Sequence, residues 1–229
     1  MHCLGMSIDS IVLDLGCGTG NFAEALSPRV KTVIGVDLSK GMLEKALVKY
    51  PELPLVRGNV EQLPFESGMF DCTFAVQVLH HIREKEQFVK EARRVLKKGG
   101  GLAIDTCSHE QMKTFWFYHY FPEGLEMDLA RIPDCFEIVH LLKQAGFENI
   151  HVEISYSDIA SEHLKPENYL KKDYRDGMST FHLLQEHLVE RGCDILRKDI
   201  ASGDVTSIIR KYEAQEAIAG GSSVVYGWK

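Results

Sequence analysis

The sequence lacks a long apolar run and lacks cysteine pairs at the spacing of metal or redox sites. A membrane-spanning helix needs about 18–20 consecutive apolar residues, and no such run occurs in the 229 residues. The six cysteines include no C-x-x-C pair, and several stand in apolar, strand-like segments. We therefore expect buried thiols in a cytoplasmic protein, with no disulfide framework, zinc site or other metal. No basic segment leads into an apolar one at the beginning, so we expect no secretory signal.

An excess of positive charge is also missing. Lysine and arginine total 26 against 33 aspartates and glutamates, which gives a formal net charge of −7. A surface that follows phosphates would need a local basic patch. The strongest basic group, within 93–98, is mixed with acids at helical spacing, which is typical of a solvated helix face. We expect neither a nucleic-acid partner nor stable membrane association.

The first half of the chain alternates nearly continuous apolar segments with amphipathic ones. Strands are predicted at 11–15, 31–39, 53–60, 70–79 and 101–107, and helices at 20–27, 40–50 and 85–100, the last closed by glycines. Strands that are apolar on both faces and alternate with helices indicate an α/β fold, in which a parallel sheet carries helices on both sides.

The second half is less regular. It begins with an aromatic-rich connector at 114–129, followed by a helix at 134–147 that ends at Gly146. A sixth strand is predicted at 148–155, mostly helical structure at 164–200 and a terminal strand at 222–229. The length fits a single domain, residues 1–229, because one core of this size is common.

The segment "IVLDLGCGTGNF", residues 11–22, joins the first predicted strand to a helix through three glycines. Backbone N–H groups and a helix N-terminus then lie at the carboxyl edge of the sheet, where open α/β sheets bind ligands. Gly16, Gly18 and Gly20 allow the backbone to approach a ligand more closely than a Cβ would permit. This loop is therefore the candidate binding site.

The glycine spacing separates two classes of ligand. Dinucleotide sites use G-x-G-x-x-G, but the position of the third glycine is Asn21, and the pattern here is G-x-G-x-G. Asp14 stands two residues ahead of the first glycine. Asp37 ends the second strand, where an acid accepts hydrogen bonds from ribose hydroxyls.

Four segments resemble, in order, the motifs of the class I S-adenosylmethionine-dependent methyltransferases. They are "VLDLGCGTGNF", "VIGVDLS", "GNVEQLPFESGMFDCTFAVQVLHHI" and "EARRVLKKGGGLAI". The similarity is greatest to the small-molecule branch that includes the ubiquinone and menaquinone methyltransferases, and it covers about residues 10–107. It implies a Rossmann-like sheet of seven strands, the last antiparallel between the fifth and sixth, with a helical elaboration on the substrate side.

The resemblance also implies the activity. S-adenosylmethionine would be the cofactor and S-adenosylhomocysteine its product, with methyl transfer to a small-molecule acceptor by in-line displacement. The cofactor-binding core would be about residues 10–107, and about 108–229 would supply the substrate side and the closing strands.

The same resemblance assigns cofactor contacts to individual residues. The methionine end would meet Asp14, Gly16, Cys17, Gly18, Gly20, Gln77 and Val78. The ribose would meet Asp37, and the adenine would meet Leu38, Met42, Asn59 and Val60. Asn59 departs from the family, which usually has aspartate there, although an amide oxygen can also accept the bond from the adenine amino group.

Candidates for the transfer step follow the fourth and fifth strands. His80 and His81 are candidate bases or substrate contacts, because histidine titrates near neutrality; the alternative is packing and helix entry. Asp105 and His109 are candidate substrate contacts or solvated loop groups. In the segment 114–121, Trp116 and Tyr118 are candidates for an acceptor-side wall, with core packing as the alternative.

Two other functions remain open from the sequence. A nicotinamide-dependent reductase is disfavoured by Asn21 and by the lack of an evident Tyr-x-x-x-Lys pair. A non-catalytic member of the family could bind S-adenosylmethionine or S-adenosylhomocysteine without methylating an acceptor.

Overall fold

The computed structural model describes residues 4–156 and 165–229, in which seven strands form one sheet in the order β3-β2-β1-β4-β5-β7-β6. Cys3 and Leu164, the first residue of the predicted helical segment, lie outside the described residues. The strands are β1 Ile11–Leu15, β2 Thr32–Asp37, β3 Leu55–Arg57, β4 Phe70–Val76, β5 Leu96–Thr106, β6 Glu148–Ser155 and β7 Ser222–Trp228.

The first five strands run parallel, as their residue pairings show. The last strand runs the other way, because Lys229, after the end of β7, exchanges backbone hydrogen bonds with Gly99 and Gly100 near the start of β5. In the strand order, β7 lies between β5 and β6. The predicted Rossmann-like fold is confirmed.

Helices connect most of these strands. Within the described ranges they are α1 Asn21–Leu26, α2 Lys40–Lys49, α3 Lys85–Val95, α4 His109–Met112, α5 Pro122–Arg131, α6 Cys135–Gln144, α7 Pro166–Tyr169, α8 Lys172–Arg175, α9 Ser179–Leu183, α10 Glu186–Ser202 and α11 Val205–Ala219. No helix in the described part of the chain is long and apolar enough to cross a membrane.

One predicted boundary is wrong. The sequence predicts a helix to residue 100, but α3 ends at Val95 and β5 begins at Leu96. Leu96 has extended backbone angles and is fully buried, and it pairs with Phe70 of β4. Burial against the sheet outweighs the helical propensity of the following lysines.

Two further regions differ from expectation in detail. The aromatic connector contains a 3₁₀ helix, Trp116–His119, followed by α5. The sequence pattern does not predict the helix α11. Only Val205 of its residues is buried, and a helix with so small a buried face has little apolar periodicity to reveal it.

The chain divides into two compact units. Among the described residues, the first comprises 4–106, 135–153 and 224–229, and the second comprises 107–134, 154–156 and 165–223. In the first, the apolar face of α3 packs with the sheet through buried residues such as Leu13, Phe88 and Ile104. In the second, the core is aromatic and includes Trp116, Tyr120 and Tyr169.

Candidate functional site

The loop between β1 and α1 is a tight turn made by glycines in left-handed conformations. The φ angles of Gly16, Gly18 and Gly20 are 76°, 52° and 79°. The N–H groups of Gly16 and Cys17 donate to the carbonyl oxygen of Val36 in β2 at 2.8 and 3.0 Å. These bonds hold the turn against the carboxyl end of the neighbouring strand.

Gly16 and Gly18 have different surroundings. A Cβ on Gly16 would lie 2.4 Å from Cγ2 of Val78, so this glycine is needed for packing. A Cβ on Gly18 would have only Cε of Met42 nearby, at 3.6 Å. The space beside Gly18 is therefore open, which is a cradle that a ligand can approach and a side chain would fill.

Asp37 is held in place by two backbone donors. Its Oδ2 accepts from the N–H of Gly18 at 2.8 Å, and its Oδ1 accepts from the N–H of Ser39 at 2.8 Å. Each carboxylate oxygen has further acceptor capacity. The acid at the end of β2 is thus fixed at the glycine turn and can still accept hydrogen bonds from ribose hydroxyls.

Asp14 is a buried carboxyl group at the same turn. It is 2% exposed, and its Oδ2 has no hydrogen-bond partner among the described residues. Burial, and next the negative charge of Asp37, raise the pKa of Asp14 to about 8, against a smaller opposing effect of the backbone N–H of Ala23. An orphaned buried carboxyl oxygen of this kind would be satisfied by a cation or a hydrogen-bond donor.

Cys17 lies in the turn as an unreactive thiol. It is buried, and desolvation, followed by the charges of Asp14 and Asp37, raises the pKa of its thiol to about 12. Gly35 of β2 makes room for it, because a Cβ there would lie 2.8 Å from Sγ of Cys17. Sequence reasoning missed Gly35, although a glycine inside a strand is a signal of close approach.

The residues assigned to adenine are mostly at the surface of the first unit. Leu38 is 64% exposed and Met42 is 38% exposed, which is unusual for large apolar side chains and leaves surface that a flat ring can cover. Asn59 forms a local turn: its Oδ1 accepts from the N–H of Glu61 at 2.9 Å. Val60 packs partly against the core.

At the end of β4 the chain turns at Gln77, whose φ is 50°. The side-chain Nε2 of Gln77 donates to Oδ1 of Asp105 at 2.9 Å. His80 and His81 follow in a 3₁₀ helix, Leu79–His81, with their ring centroids 4.0 Å apart. Gln77 and Asp105 are thus brought together at this edge, a pairing that sequence reasoning did not anticipate.

In the second unit, the two predicted wall residues are buried. Trp116 is 4% exposed and Tyr118 is 6% exposed, within the aromatic core. The Tyr118 hydroxyl donates to Asp128 at 2.6 Å, as does the hydroxyl of Thr180, also at 2.6 Å. Arg131 completes the group, with Nε 2.7 Å from Asp128. The predicted acceptor contacts of both aromatic residues stay a prediction.

His109 makes its hydrogen bonds to residues of the second unit, Ile132 and Asp134. Its Nε2 lies 2.9 Å from the carbonyl oxygen of Ile132, its backbone N–H donates to Asp134 at 2.8 Å, and its Nδ1 is 3.8 Å from the same carboxylate. Because a carbonyl oxygen only accepts, Nε2 carries the proton. His109 therefore has hydrogen-bond partners within the second unit, and its role toward an acceptor stays a prediction.

The second unit also contains a groove of about 600 Å³. Phe181, Leu184 and Val189 supply apolar surface, and the rest of the lining is charged except for Cys193. Two of its cations already pair with acids of the groove, Lys172 with Asp176 and Arg197 with Asp194, each at 2.6 Å. The groove has the volume of a small-molecule site.

Comparison with known proteins agrees with this geometry. Residues 13–104 match a family model described as a methyltransferase domain. The demethylmenaquinone methyltransferase of Staphylococcus aureus is 29% identical over 202 residues, which are 77% of this chain and 83% of that protein. The malonyl-[acyl-carrier protein] O-methyltransferase of Legionella pneumophila is 32% identical over 142 residues, 57% of this chain and 50% of that protein.

A solved structure is similar over nearly the whole chain. It is a presumed methyltransferase from an antibiotic biosynthesis pathway of Anabaena variabilis, 26% identical with a TM-score of 0.82, covering 99% of this chain and 93% of that one. The match covers only part of some curated relatives. For three of them, including the Legionella enzyme, this chain spans between 28% and 51% of the relative's length.

The strand order and the glycine turn between β1 and α1 define a class I methyltransferase fold. Residues 13–104 form a methyltransferase domain of this class, and the chain is similar to S-adenosylmethionine-dependent methyltransferases beyond that domain. The family predicted from the sequence motifs is confirmed.

Proposed function

We propose that this chain binds S-adenosylmethionine at the glycine turn and transfers its methyl group to a small-molecule acceptor. The orphaned carboxyl oxygen of buried Asp14 carries this proposal. A cationic ligand group beside it favours the carboxylate form, and S-adenosylmethionine brings both an ammonium and a sulfonium. A nicotinamide dinucleotide would instead bring its two negative phosphates to the glycine turn, near the buried acid Asp14, which disfavours the reductase alternative.

The residues of the first unit fit the parts of this cofactor. Asp37, fixed by Gly18 and Ser39, accepts from the ribose hydroxyls. Leu38 and Met42 offer exposed apolar surface for the adenine. The open side of the glycine turn would hold the methionine end, and Asp14 would accept from its ammonium. Asn59 and Val60 would also contact the adenine.

The chemistry needs little more than positioning. When bound, the cofactor supplies a methyl group on a positively charged sulfur, a good leaving group. An in-line transfer would form the bond from the acceptor atom to the methyl carbon while the bond from sulfur to that carbon breaks, and it would leave S-adenosylhomocysteine. The protein holds the two reactants aligned and keeps water away.

An acceptor hydroxyl or phenol would also have to lose a proton. His80 and His81 are the groups we propose for this, as base or as acceptor contact, because they follow β4 at the carboxyl edge of the sheet. A thiol or an activated carbon would need no such base. The relatives named for demethylmenaquinone and malonyl-[acyl-carrier protein] methylation support an acceptor outside the nucleic acids.

We propose a cytoplasmic location as well. The five cysteines within the described ranges are all buried thiols, which suits a reducing compartment.

A thermal-shift titration tests the cofactor. S-adenosylmethionine, S-adenosylhomocysteine, NADH and NADPH are added separately, because a ligand that binds only the folded state raises the melting temperature. A rise with the two sulfur nucleotides alone is expected, and a rise with a nicotinamide nucleotide alone would overturn the proposal. Methyl transfer is then measured with labelled cofactor across a panel of phenols, carboxylic acids, thiols and amines. Binding without transfer to any of them would favour the non-catalytic alternative.

A further inference from the structure

The turn after β4 contains a strained residue. Gln77 has a φ of 50°, and among the described residues only one other non-glycine, Asn149, has a positive φ. An L residue in this region is strained and persists only where its surroundings hold it. Glutamine has no side-chain feature that favours such a conformation, so the cause lies in what Gln77 contacts.

Asp105 holds Gln77 at two points. The backbone N–H of Gln77 donates to the carbonyl oxygen of Asp105 at 3.1 Å, and its side-chain Nε2 donates to Oδ1 of the same residue at 2.9 Å. Asp105 stands in β5, opposite Val76 in the parallel pairing with β4. The register of two central strands therefore places both acceptors where the turn begins.

The turn determines where the next residue lies. Val78 follows Gln77 directly, and its Cγ2 is 2.4 Å from the position that a Cβ on Gly16 would take. Val78 is thus packed on the glycine turn, at the edge proposed for the methionine end of the cofactor. A shift of φ at Gln77 would move Val78 away from Gly16.

We propose that Asp105 is a positioning residue, which acts through Gln77 to hold the turn after β4 against the glycine loop. This inference rests on the proposed cofactor site. In this role Asp105 contacts Gln77 and not the acceptor. The role requires the oxygen atoms of Asp105 as hydrogen-bond acceptors, and it does not require the negative charge.

The test measures S-adenosylhomocysteine affinity by calorimetry, with the melting temperature of each ligand-free variant in parallel. Asp105→Ala and Gln77→Ala each weaken binding about three- to ten-fold, as expected for one lost hydrogen bond that fixes a strained turn. The double variant is no weaker than either single one, because both changes break the same contact. Asp105→Asn keeps an amide oxygen as acceptor and stays within about two-fold of wild type.

Lys98→Ala, an exposed change at the other end of β5, is the matched control and leaves affinity unchanged. Additive losses in the double variant would overturn the inference, as would an Asp105→Asn variant as weak as Asp105→Ala. Normal binding by Asp105→Asn with lost methyl transfer would indicate instead that the carboxylate contacts the acceptor. If the wild-type chain binds no S-adenosylhomocysteine, the proposed cofactor itself fails, a result distinct from any difference among the variants.

Discussion

The negative charge of Asp37 acts on Asp14 across the glycine turn and helps to keep the Asp14 carboxyl protonated. Burial contributes most, and together the two raise the pKa of Asp14 to about 8. In the ligand-free site, ionisation of Asp14 is therefore unfavourable. A cationic ligand beside Asp14 would make it favourable. Stability and ligand binding should thus respond to pH in opposite directions.

The first prediction concerns the stability of the ligand-free chain. In the unfolded state Asp14 ionises near pH 4, whereas the folded state keeps its proton to about pH 8. Between these values the folded state binds the extra proton, so the contribution of Asp14 to the free energy of unfolding falls as pH rises, by at most about 1.4 kcal/mol per pH unit. Asp14→Asn removes this decline.

Urea unfolding at pH 5 and pH 8 measures the effect. We expect Asp14→Asn to be more stable than wild type at pH 8, by about 1–3 kcal/mol, and close to it at pH 5. Asp9→Asn, a change at an exposed aspartate, is the control and should show no such difference. Equal stability of wild type and Asp14→Asn at both pH values would contradict the prediction.

The second prediction concerns binding. Because the ammonium of S-adenosylhomocysteine favours ionised Asp14, binding below about pH 8 releases a proton. Wild-type affinity then rises with pH by up to about ten-fold per unit and levels off above pH 8. Calorimetry in two buffers of different ionisation enthalpy detects the released proton. Identical heats in both buffers would show that Asp14 does not meet the ammonium.

The third prediction separates backbone strain from close approach to the ligand. Gly18 and Gly68 both have positive φ, and a Cβ at Gly68 would meet nothing within 4 Å. Alanine at either position should cost about 1–2 kcal/mol of stability through its left-handed conformation. Only Gly18→Ala should also weaken S-adenosylhomocysteine binding, by about ten-fold or more, because its methyl group enters the cradle. Equal affinities of the two variants would mean that the ligand does not pass beside Gly18.

The sequence was informative where local pattern and tertiary structure agree. The strand at 11–15, the glycine turn and the helix at 40–50 follow from apolar runs, glycine spacing and helical periodicity, and the structure has all three. The position of the last strand came from the family resemblance and is confirmed. Residues assigned to the cofactor from motifs do cluster at this turn, as Asp14, Gly18 and Asp37 illustrate.

The sequence was uninformative where contacts with distant segments determine the conformation or the burial of a residue. Nothing in the letters "AVQVL" indicates that Gln77 has a left-handed backbone, because the cause is Asp105, 28 residues away. The aromatic segment could be wall or core by composition alone, and burial places Trp116 in a core. The lysines before Gly99 favour a helix locally, but pairing of Leu96 with β4 prevails.

The fourth prediction concerns the ribose contact. Asp37→Ala removes an acceptor for the ribose hydroxyls and for the N–H groups of Gly18 and Ser39. S-adenosylhomocysteine binding should weaken by about 1–3 kcal/mol. The variant should also lower the pKa of Asp14, since one source of repulsion is gone, and the plateau of affinity against pH should begin at lower pH. Calorimetry across pH 6–9 measures both, and unchanged affinity would mean that the ribose site is placed wrongly.

The last prediction concerns the second unit. Asp128 is 1% exposed and accepts hydrogen bonds from Tyr118, Thr180 and Arg131. Asp128→Ala leaves the largely buried guanidinium of Arg131 without its carboxylate, which should cost about 3–5 kcal/mol. Thr180→Val removes one donor and should cost about 1 kcal/mol.

Trp116 provides a local measurement, because the chain has only two tryptophans and the other is Trp228. In a Trp228→Phe background, fluorescence during urea unfolding reports on the aromatic core of the second unit. Glu110→Ala removes an exposed ion pair with Lys113 and is the control, with an expected loss below about 1 kcal/mol. If Asp128→Ala were as stable as this control, the buried network would contribute nothing net to the second unit, and the apolar packing around Trp116 would be sufficient for its stability.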